Sequence, residues 1–325
     1  MILKFLSSRL FLIFLFPFIL GTLTVFSFQP FNLSYINFLI LPILFLLTVY
    51  TQKKSKNTYR KKPYLLNLFF IGYLFGVGFF LSGIHWISHS LTFDEIFKFL
   101  VPVAIIGLPI FLGLFFGLAN LIVGPFLKNN FTSIILFSSS FAFMDYVRAK
   151  ILSGFPWNIW AYTWSWKPEI LQSLFYIGFF SFNLLCIIIY CSPLLLIFKK
   201  RINFFLFFII SFFFFGNYIY GSSIIKKNDK NFIELNLNLE NSIYTKIISP
   251  SFDLKYNLSN DDLSENISNL IKYSEPDKIK KTLFIWPEGA FTGFNFEQIK
   301  EYRALFEEAF SDNHLILFGS NTAQE

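Results

Sequence analysis

The chain has 325 residues, of which 54% are hydrophobic, and its formal net charge is +7. Long uncharged stretches in so apolar a chain exclude an ordinary soluble globular protein and indicate an integral membrane protein. Residues 1–222 hold 16 basic and 4 acidic residues, a net charge of +12, whereas residues 223–325 hold 11 and 16, a net charge of −5. A basic apolar part followed by a mildly acidic part argues against nucleic acid as a partner.

Seven apolar runs, each near the length that crosses a bilayer, follow one another along the first part of the chain. They cover residues 9–26, 33–50, 64–84, 97–124, 131–147, 170–198 and 202–221. The first run follows two basic residues, as in a signal peptide, but no small-residue cleavage site comes after it, so we interpret it as an anchor. The sequence therefore predicts a transmembrane helical domain of about seven spans over residues 1–222.

Basic residues alternate between the loops that join these runs. Six lysines and arginines lie between residues 53 and 62, and three more form residues 199–201, whereas the first loop has none and the fifth carries Arg148, Lys150 and Lys167. Because lysine and arginine are enriched in cytoplasmic loops, we expect the N-terminus in the cytoplasm. Seven crossings then place the C-terminal segment on the opposite face.

The fifth loop is dense in aromatic residues. Trp157, Trp160, Tyr162 and Trp164 lie within eight residues of one another. Amphipathic aromatic rings favour the headgroup layer of a bilayer. Two interpretations stay open: an interfacial aromatic belt, or a platform that faces lipid or substrate beside an active site.

We predict no metal site and no cofactor. His85 and His89 could share one face of a helix, as metal ligands can, but no third ligand is evident. Cys186 and Cys191 lie inside an apolar run, where buried thiols without a chemical role are the simplest interpretation.

Beyond Tyr220 the pattern changes to that of a layered α/β domain. Alternating or continuous apolar residues predict strands at 231–239, 282–286 and 314–318, and helical periodicity predicts helices at 259–273 and 296–310, the first capped by Ser259 or Asn260. The order β-α-β-α-β indicates an α/β sheet over residues 223–325. Because the chain stops just after the third strand, we expect an unfinished sheet that leaves a sheet edge and a helix face uncovered and has little stability of its own.

The segment most suggestive of chemistry follows the predicted strand 282–286. Catalytic groups of α/β sheets gather where strands end at their carboxyl side. Pro287 cannot donate a ladder hydrogen bond and Gly289 permits unusual backbone angles, so Glu288 is predicted at the lip of the sheet. A carboxylate there can act as a general base, although a capping or solvated glutamate would show the same pattern.

The strand that ends in Trp286-Pro287-Glu288 resembles the first catalytic element of the nitrilase superfamily, whose members use a Glu-Lys-Cys triad. Such a domain after a multi-span membrane part is similar to the apolipoprotein N-acyltransferase family. Three further stretches resemble that family: the turn at residues 26–31, the glycine-spaced run at 72–86, and Gly154-Phe155-Pro156-Trp157 followed by Tyr162. One element departs from the pattern, because the nearest match to the family's early Gln-(Gly/Pro)-Asn-Ile strand end is residues 236–239.

The resemblance implies a membrane enzyme of the bacterial inner membrane with a nitrilase-like αββα sandwich in the periplasm. It implies acyl transfer from a phospholipid donor to the N-terminal diacylglyceryl-cysteine of a lipoprotein acceptor, through a thioester on a cysteine. Glu288 would be the general base, and the family's lysine and cysteine would lie beyond residue 325.

Two alternatives remain at this point: a membrane-anchored nitrilase-type amidase that acts on a small molecule, and an inactive truncated enzyme or multi-span binding protein. A transporter is disfavoured, because transporters carry charged residues deep inside their spans. Apart from Asp145, which lies near the end of the run 131–147, no charged residue lies deep in a predicted span.

Overall fold

A computed structural model of the chain describes residues 8–58, 64–93, 95–151, 154, 156–237, 243–250 and 258–321, without the side chains of residues 55–58 and 235–237. The chain divides into two compact units. The helical unit combines Met1–Ser90 with Phe99–Lys230, and the sheet unit combines Leu91–Lys98 with Asn231–Glu325.

The described part of the helical unit is built from α-helices joined by short turns, several of them 3₁₀ turns. In chain order these are α1 (Phe16–Leu23), α2 (Asn37–Thr58), α3 (Tyr64–Ile84), α4 (Val101–Val123), α5 (Phe131–Arg148), α6 (Pro168–Leu171), α7 (Leu174–Ile177), α8 (Phe179–Cys191), α9 (Leu194–Ile197) and α10 (Arg201–Leu237). A π-helical turn, Leu10–Leu15, precedes α1.

Six helical stretches among the described residues are long and apolar enough to cross a membrane. They are Leu10–Ser27, Ser34–Lys54, Tyr64–Thr92, Glu95–Phe126, Phe179–Ile197 and Arg201–Glu234. The predicted run 131–147 does form a helix, α5, but it is not among the six, because three serines at 138–140 and the charges of Asp145 and Arg148 reduce its apolar character. About seven spans were expected, and six helical stretches among the described residues are long and apolar enough to cross a membrane.

The predicted run 170–198 is also shorter than expected. Gly178 has a φ of +76°, which ends α7 and turns the chain before α8 starts at Phe179. A positive φ breaks helical geometry, so the fifth of the six candidate spans begins only at Phe179.

Glycines let α3 and α4 approach closely. A Cβ atom on Gly72 would lie 2.2 Å from the carbonyl oxygen of Phe116, and one on Gly76 would lie 2.9 Å from the Cα atom of Gly113. Small residues at helix contacts are the usual means of close packing in membranes, where apolar lipid gives helices no hydrophobic reason to associate. The glycine-spaced run is thus a packing surface between two candidate spans.

The sheet unit contains a parallel sheet in the order β1 (Tyr244–Ile247), β2 (Thr282–Ile285) and β3 (His314–Leu317). Helices α11 (Asn260–Ser274), α12 (Phe296–Lys300) and α13 (Arg303–Ala309) complete its described part. A buried core joins Leu263, Ile267 and Leu270 of α11 to Phe284 of β2. The opposite face of the sheet carries Ile247 and Leu317 on either side of Ile285, and both outer side chains are exposed.

The predicted strand 231–239 is wrong over residues 231–237, which continue α10, whereas residues 238 and 239 lie outside the described range. Extending an existing helix adds one hydrogen bond per residue with no new nucleation cost, and this outweighs the alternating pattern. The first strand is instead β1. Helix 259–273 is confirmed as α11, where Ser259 and Asp262 form a capping box. The predicted helix 296–310 divides into α12 and α13 around Glu301 and Tyr302.

We expect Gly72→Ala to destabilise the helical unit, because its new methyl group would overlap the backbone of α4. Gly107→Ala is the matched control, since a Cβ there would meet no atom closer than 3.8 Å and alanine favours helix by about 1 kcal/mol. Thermal unfolding in detergent should give a lower midpoint for Gly72→Ala and an unchanged or higher one for Gly107→Ala. Equal midpoints would contradict the packing role.

Candidate functional site

Glu288 lies where the middle strand of the sheet ends. The N–H of Ile248 donates to the carbonyl of Ile285 at 2.9 Å, and the N–H of Trp286 donates to the carbonyl of Leu317 at 2.9 Å. Ladder bonding therefore continues to Trp286, and Pro287 stops it because proline has no N–H. Glu288 follows at the carboxyl edge of the sheet, the position that the sequence predicts.

Trp286 fixes the chain immediately before this edge. Its buried indole N–H donates to Ser274 Oγ at 3.0 Å, and the Ser274 hydroxyl donates to the carbonyl of Leu270 at 2.7 Å. Four phenylalanine rings surround the indole, with centroids 5.6–6.1 Å away: Phe291, Phe306, Phe310 and Phe318. A large side chain held on all sides leaves the following two residues little freedom.

The turn after Glu288 is anchored as well. Gly289 has a φ of +80°, which favours glycine, and the Thr292 hydroxyl donates to its carbonyl at 2.8 Å. The side-chain amide of Asn266 donates to the carbonyl of Ala290 at 3.1 Å. The exposed Glu288 therefore projects between two fixed points of backbone.

The carboxylate of Glu288 makes no hydrogen bond or ion pair with any residue that the structure describes, so it is free to accept a proton from a ligand or another group. The described residues of the sheet unit include no cysteine, and Cys186 and Cys191 are buried in α8 of the helical unit. Across the described ranges, no cluster of three or more His, Cys, Asp and Glu side chains could hold a metal ion. The arrangement offers proton transfer at one positioned carboxylate.

The aromatic loop of the helical unit has two kinds of member. The side chains of Trp157 and Tyr162 are 49% and 39% exposed. Trp160 is fully buried, and its ring stacks on Phe79 and Phe75 at centroid distances of 5.4 and 6.4 Å. Trp157 and Tyr162 are thus exposed enough to face lipid or substrate. Trp160 instead packs into the core of the helical unit beneath the loop.

A buried polar network holds this loop at two points. Arg148 Nη1 donates to the carbonyl of Trp157 at 2.7 Å, and Nη2 donates to Asp145 Oδ1 at 3.0 Å. Asn183 donates from Nδ2 to Asp145 Oδ2 at 3.0 Å and accepts at Oδ1 from the N–H of Ala161 at 3.2 Å. One network therefore connects α5, α8 and two points of the loop.

Sequence analysis missed this network, because it treated Arg148 as a loop cation and Asp145 as a residue near the end of a span. The three-residue spacing of opposite charges at the end of an otherwise uncharged helix was the available signal, since residues three apart share a helix face. Asn183, 38 residues after Asp145, offered no such signal.

Removal of Asp145 should unfold or loosen the helical unit. Asp145→Ala would leave the buried guanidinium of Arg148 without its counter-charge, and breaking a buried pair costs about 3–5 kcal/mol. Glu297→Ala, which removes an exposed partner of Lys300, is the control and should change stability little. Thermal unfolding in detergent measures both, and matching midpoints for the two variants would refute the role of the network.

The different exposures of Trp160 and Trp157 predict different effects of alanine substitution on stability. Trp160→Ala removes a fully buried ring and should cost about 3–5 kcal/mol of stability. Trp157→Ala removes a half-exposed ring and should leave the unfolding midpoint nearly unchanged. Chemical denaturation followed by near-UV circular dichroism would show this contrast, and a stable Trp160→Ala variant would contradict the assignment of its ring to the core.

Comparison with known proteins gives one family match. A model described as the apolipoprotein N-acyltransferase N-terminal domain matches residues 20–192. The chain is 36% identical over 128 residues to an apolipoprotein N-acyltransferase of Rhizobium etli, covering 39% of this chain and 24% of that protein. It is similar to proteins of the same name from Brucella suis, at 30% over 181 residues, and Agrobacterium fabrum, at 27% over 232 residues.

These matches cover 55% of the chain and 34% of the Brucella suis protein, and 69% of the chain and 42% of the Agrobacterium fabrum protein. The chain thus spans between a quarter and somewhat under half of the length of these relatives.

Proposed function

Because the chain belongs to the apolipoprotein N-acyltransferase family, we propose that it takes part in the transfer of an acyl chain from a membrane phospholipid to the N-terminal diacylglyceryl-cysteine of a lipoprotein. The observation that carries this proposal is the match of the family's N-terminal domain to residues 20–192, more than half of the chain. The shared name of the relatives points to acyl transfer and not to an amidase or a non-catalytic binding protein, so those alternatives are not favoured.

We propose a multi-pass position in the bacterial inner membrane, with the N-terminus in the cytoplasm and the C-terminal segment in the periplasm. The six candidate spans support the multi-pass position. An odd number of crossings requires that α5 also crosses, and the pairing of Asp145 with Arg148 supports this, because ionisable residues at membrane depth are tolerated when they are paired inside a bundle.

In the proposed reaction a cysteine thiolate attacks the ester carbonyl of a phospholipid. Glu288 accepts the thiol proton, a thioester forms, and the lysophospholipid leaves with a proton. The α-amine of the lipoprotein then attacks the thioester, Glu288 takes a proton from that amine, and the thiolate is released. A lysine would stabilise the negative charge on each tetrahedral intermediate.

We assign neither the cysteine nor the lysine of this reaction to a residue of this sequence. The sheet unit contains no cysteine, and the matches span at most 42% of the relatives' length. The uncovered sheet face beside Ile285 supports a nitrilase-like interpretation of residues 223–325, since a second sheet would pack there in a sandwich.

Substitution of Glu288 tests the proposal in the protein as it is expressed from its gene. Glu288→Gln keeps the shape of the side chain but cannot accept the thiol proton, and general-base catalysis contributes about 10²–10⁴-fold. We expect thioester formation from a radiolabelled phospholipid to slow by at least about 100-fold. Glu301→Gln, an exposed glutamate after α12, is the matched control and should react at the original rate.

If Glu288→Gln formed the thioester as fast as the control, the assignment of the base would be wrong. If neither protein formed a thioester, and both transferred no acyl chain to a diacylglyceryl peptide, the acyltransferase proposal itself would fail.

A further inference from the structure

A cleft of about 550 Å³ lies within the helical unit. Neither Trp157 nor Tyr162 of the aromatic loop is among the residues that line it. One wall comes from Tyr35 and Phe38, a second from Ile189, and a third from the stretch of α10 between Phe207 and Tyr218. This volume is within the range of about 300–1,000 Å³ that small-molecule sites occupy.

All three walls belong to candidate membrane spans, namely Ser34–Lys54, Phe179–Ile197 and Arg201–Glu234. The wall from Phe207 to Tyr218 rises on the order of 16 Å along the helix, about half of the hydrocarbon thickness of a bilayer. Where these helices cross a bilayer, this wall would extend over about one leaflet, in which the surrounding molecules are lipids.

Polar contacts hold α10 against the rest of the helical unit at one end of the cleft. The Asn217 side chain donates to the carbonyl of Ile170 at 2.9 Å, and a Cβ atom on Gly221 would lie 1.9 Å from the carbonyl oxygen of Glu169. Close to these contacts, Phe214 packs against Trp164 at 5.3 Å. The end of the cleft near Tyr218 is therefore fixed by direct backbone approach.

Lys167 lies at this same end, because it immediately precedes α6, which contains Ile170. Among the described lining residues it alone carries a charge, and no carboxylate of a described residue lies within ion-pair distance of its ammonium group. The ammonium lies 4.8 Å from the centroid of the Trp166 ring. An unpaired cation beside an interfacial tryptophan attracts an anionic headgroup.

From this arrangement we propose that the cleft binds one acyl chain of an anionic phospholipid, with the phosphate of the lipid against Lys167. The apolar walls take the chain, and the second chain of the lipid stays in the bilayer. Its occupation by lipid does not depend on the proposed reaction.

The test is photo-crosslinking of the protein, as it is expressed from its gene, in phosphatidylcholine nanodiscs that contain phosphatidylglycerol with a diazirine on one acyl chain. Labelled residues are mapped by mass spectrometry. We expect labelling of Ile189 and Phe214, which line the cleft, to exceed by several fold that of Phe212 and Phe213, which are exposed on α10.

Filling the cleft should remove this label. Ser211→Trp places a large ring between the walls and should lower labelling of Ile189 at least about fivefold, whereas the matched control Ser223→Trp, on an exposed part of the same helix, should not. If Ser211→Trp lowers the unfolding midpoint strongly, Ile189→Phe fills the cleft from the opposite wall and labelling of Phe214 is compared instead.

The positive charge of Lys167 should strengthen the binding of anionic lipid and not that of uncharged lipid. Lys167→Gln should reduce labelling by the phosphatidylglycerol probe about fivefold, the effect expected of one cation near an anionic headgroup, and leave labelling by a diazirine diacylglycerol unchanged. Lys150→Gln, an exposed lysine of the same loop region, is the control.

Two results would overturn the proposal. Equal labelling of lining and exposed residues, undiminished in both filled variants, would mean that only surrounding bulk lipid is present. Absence of label in the cleft, with normal labelling of the exposed face, would mean that lipid does not enter and that protein fills this space.

Discussion

The buried ion pair between Asp145 and Arg148 is the interaction on which the helical unit most depends. Two charges removed from solvent are costly unless they are paired and their remaining hydrogen-bonding groups are satisfied. Asn183 and the backbone carbonyl of Trp157 bond directly to the pair, and Asn183 in turn accepts a hydrogen bond from the N–H of Ala161. The same bonds that make the pair tolerable therefore fix the course of the aromatic loop, and the exposed positions of Trp157 and Tyr162 follow from a constraint inside the bundle.

In the sheet unit, apolar packing fixes the backbone next to an exposed side chain, as the polar network does in the helical unit. Trp286 is enclosed by phenylalanine rings and bonded to Ser274, so the strand end that carries Glu288 is rigid while the carboxylate itself stays exposed. A proton acceptor held in place by its neighbours on the chain, and not by bonds to its own oxygens, remains available for a substrate or a nucleophile. This is the physical basis on which we propose a general-base role for Glu288.

Much of this arrangement could be predicted from local sequence. Apolar runs located most of the candidate spans, a capping residue at Ser259 or Asn260 located the start of α11, and Pro287 with Gly289 located Glu288 at the end of β2. Features that depend on distant residues could not. The pairing of Asn183 with Asp145 and the burial of Trp160 arise from packing between helices, which no local pattern records. Residues 231–237 show the limit of periodicity as a predictor. Their alternating apolar pattern predicts a strand, but these residues extend α10.

For this member of the family we propose a part in the N-acylation of lipoproteins. The most direct measurement is the mass of the N-terminal peptide of a lipoprotein, isolated from cells in which this gene is repressed. The account predicts accumulation of peptide with a diacylglyceryl-cysteine and a free α-amine, with the N-acylated form restored when the gene is expressed again. A fully N-acylated peptide under complete repression would contradict it.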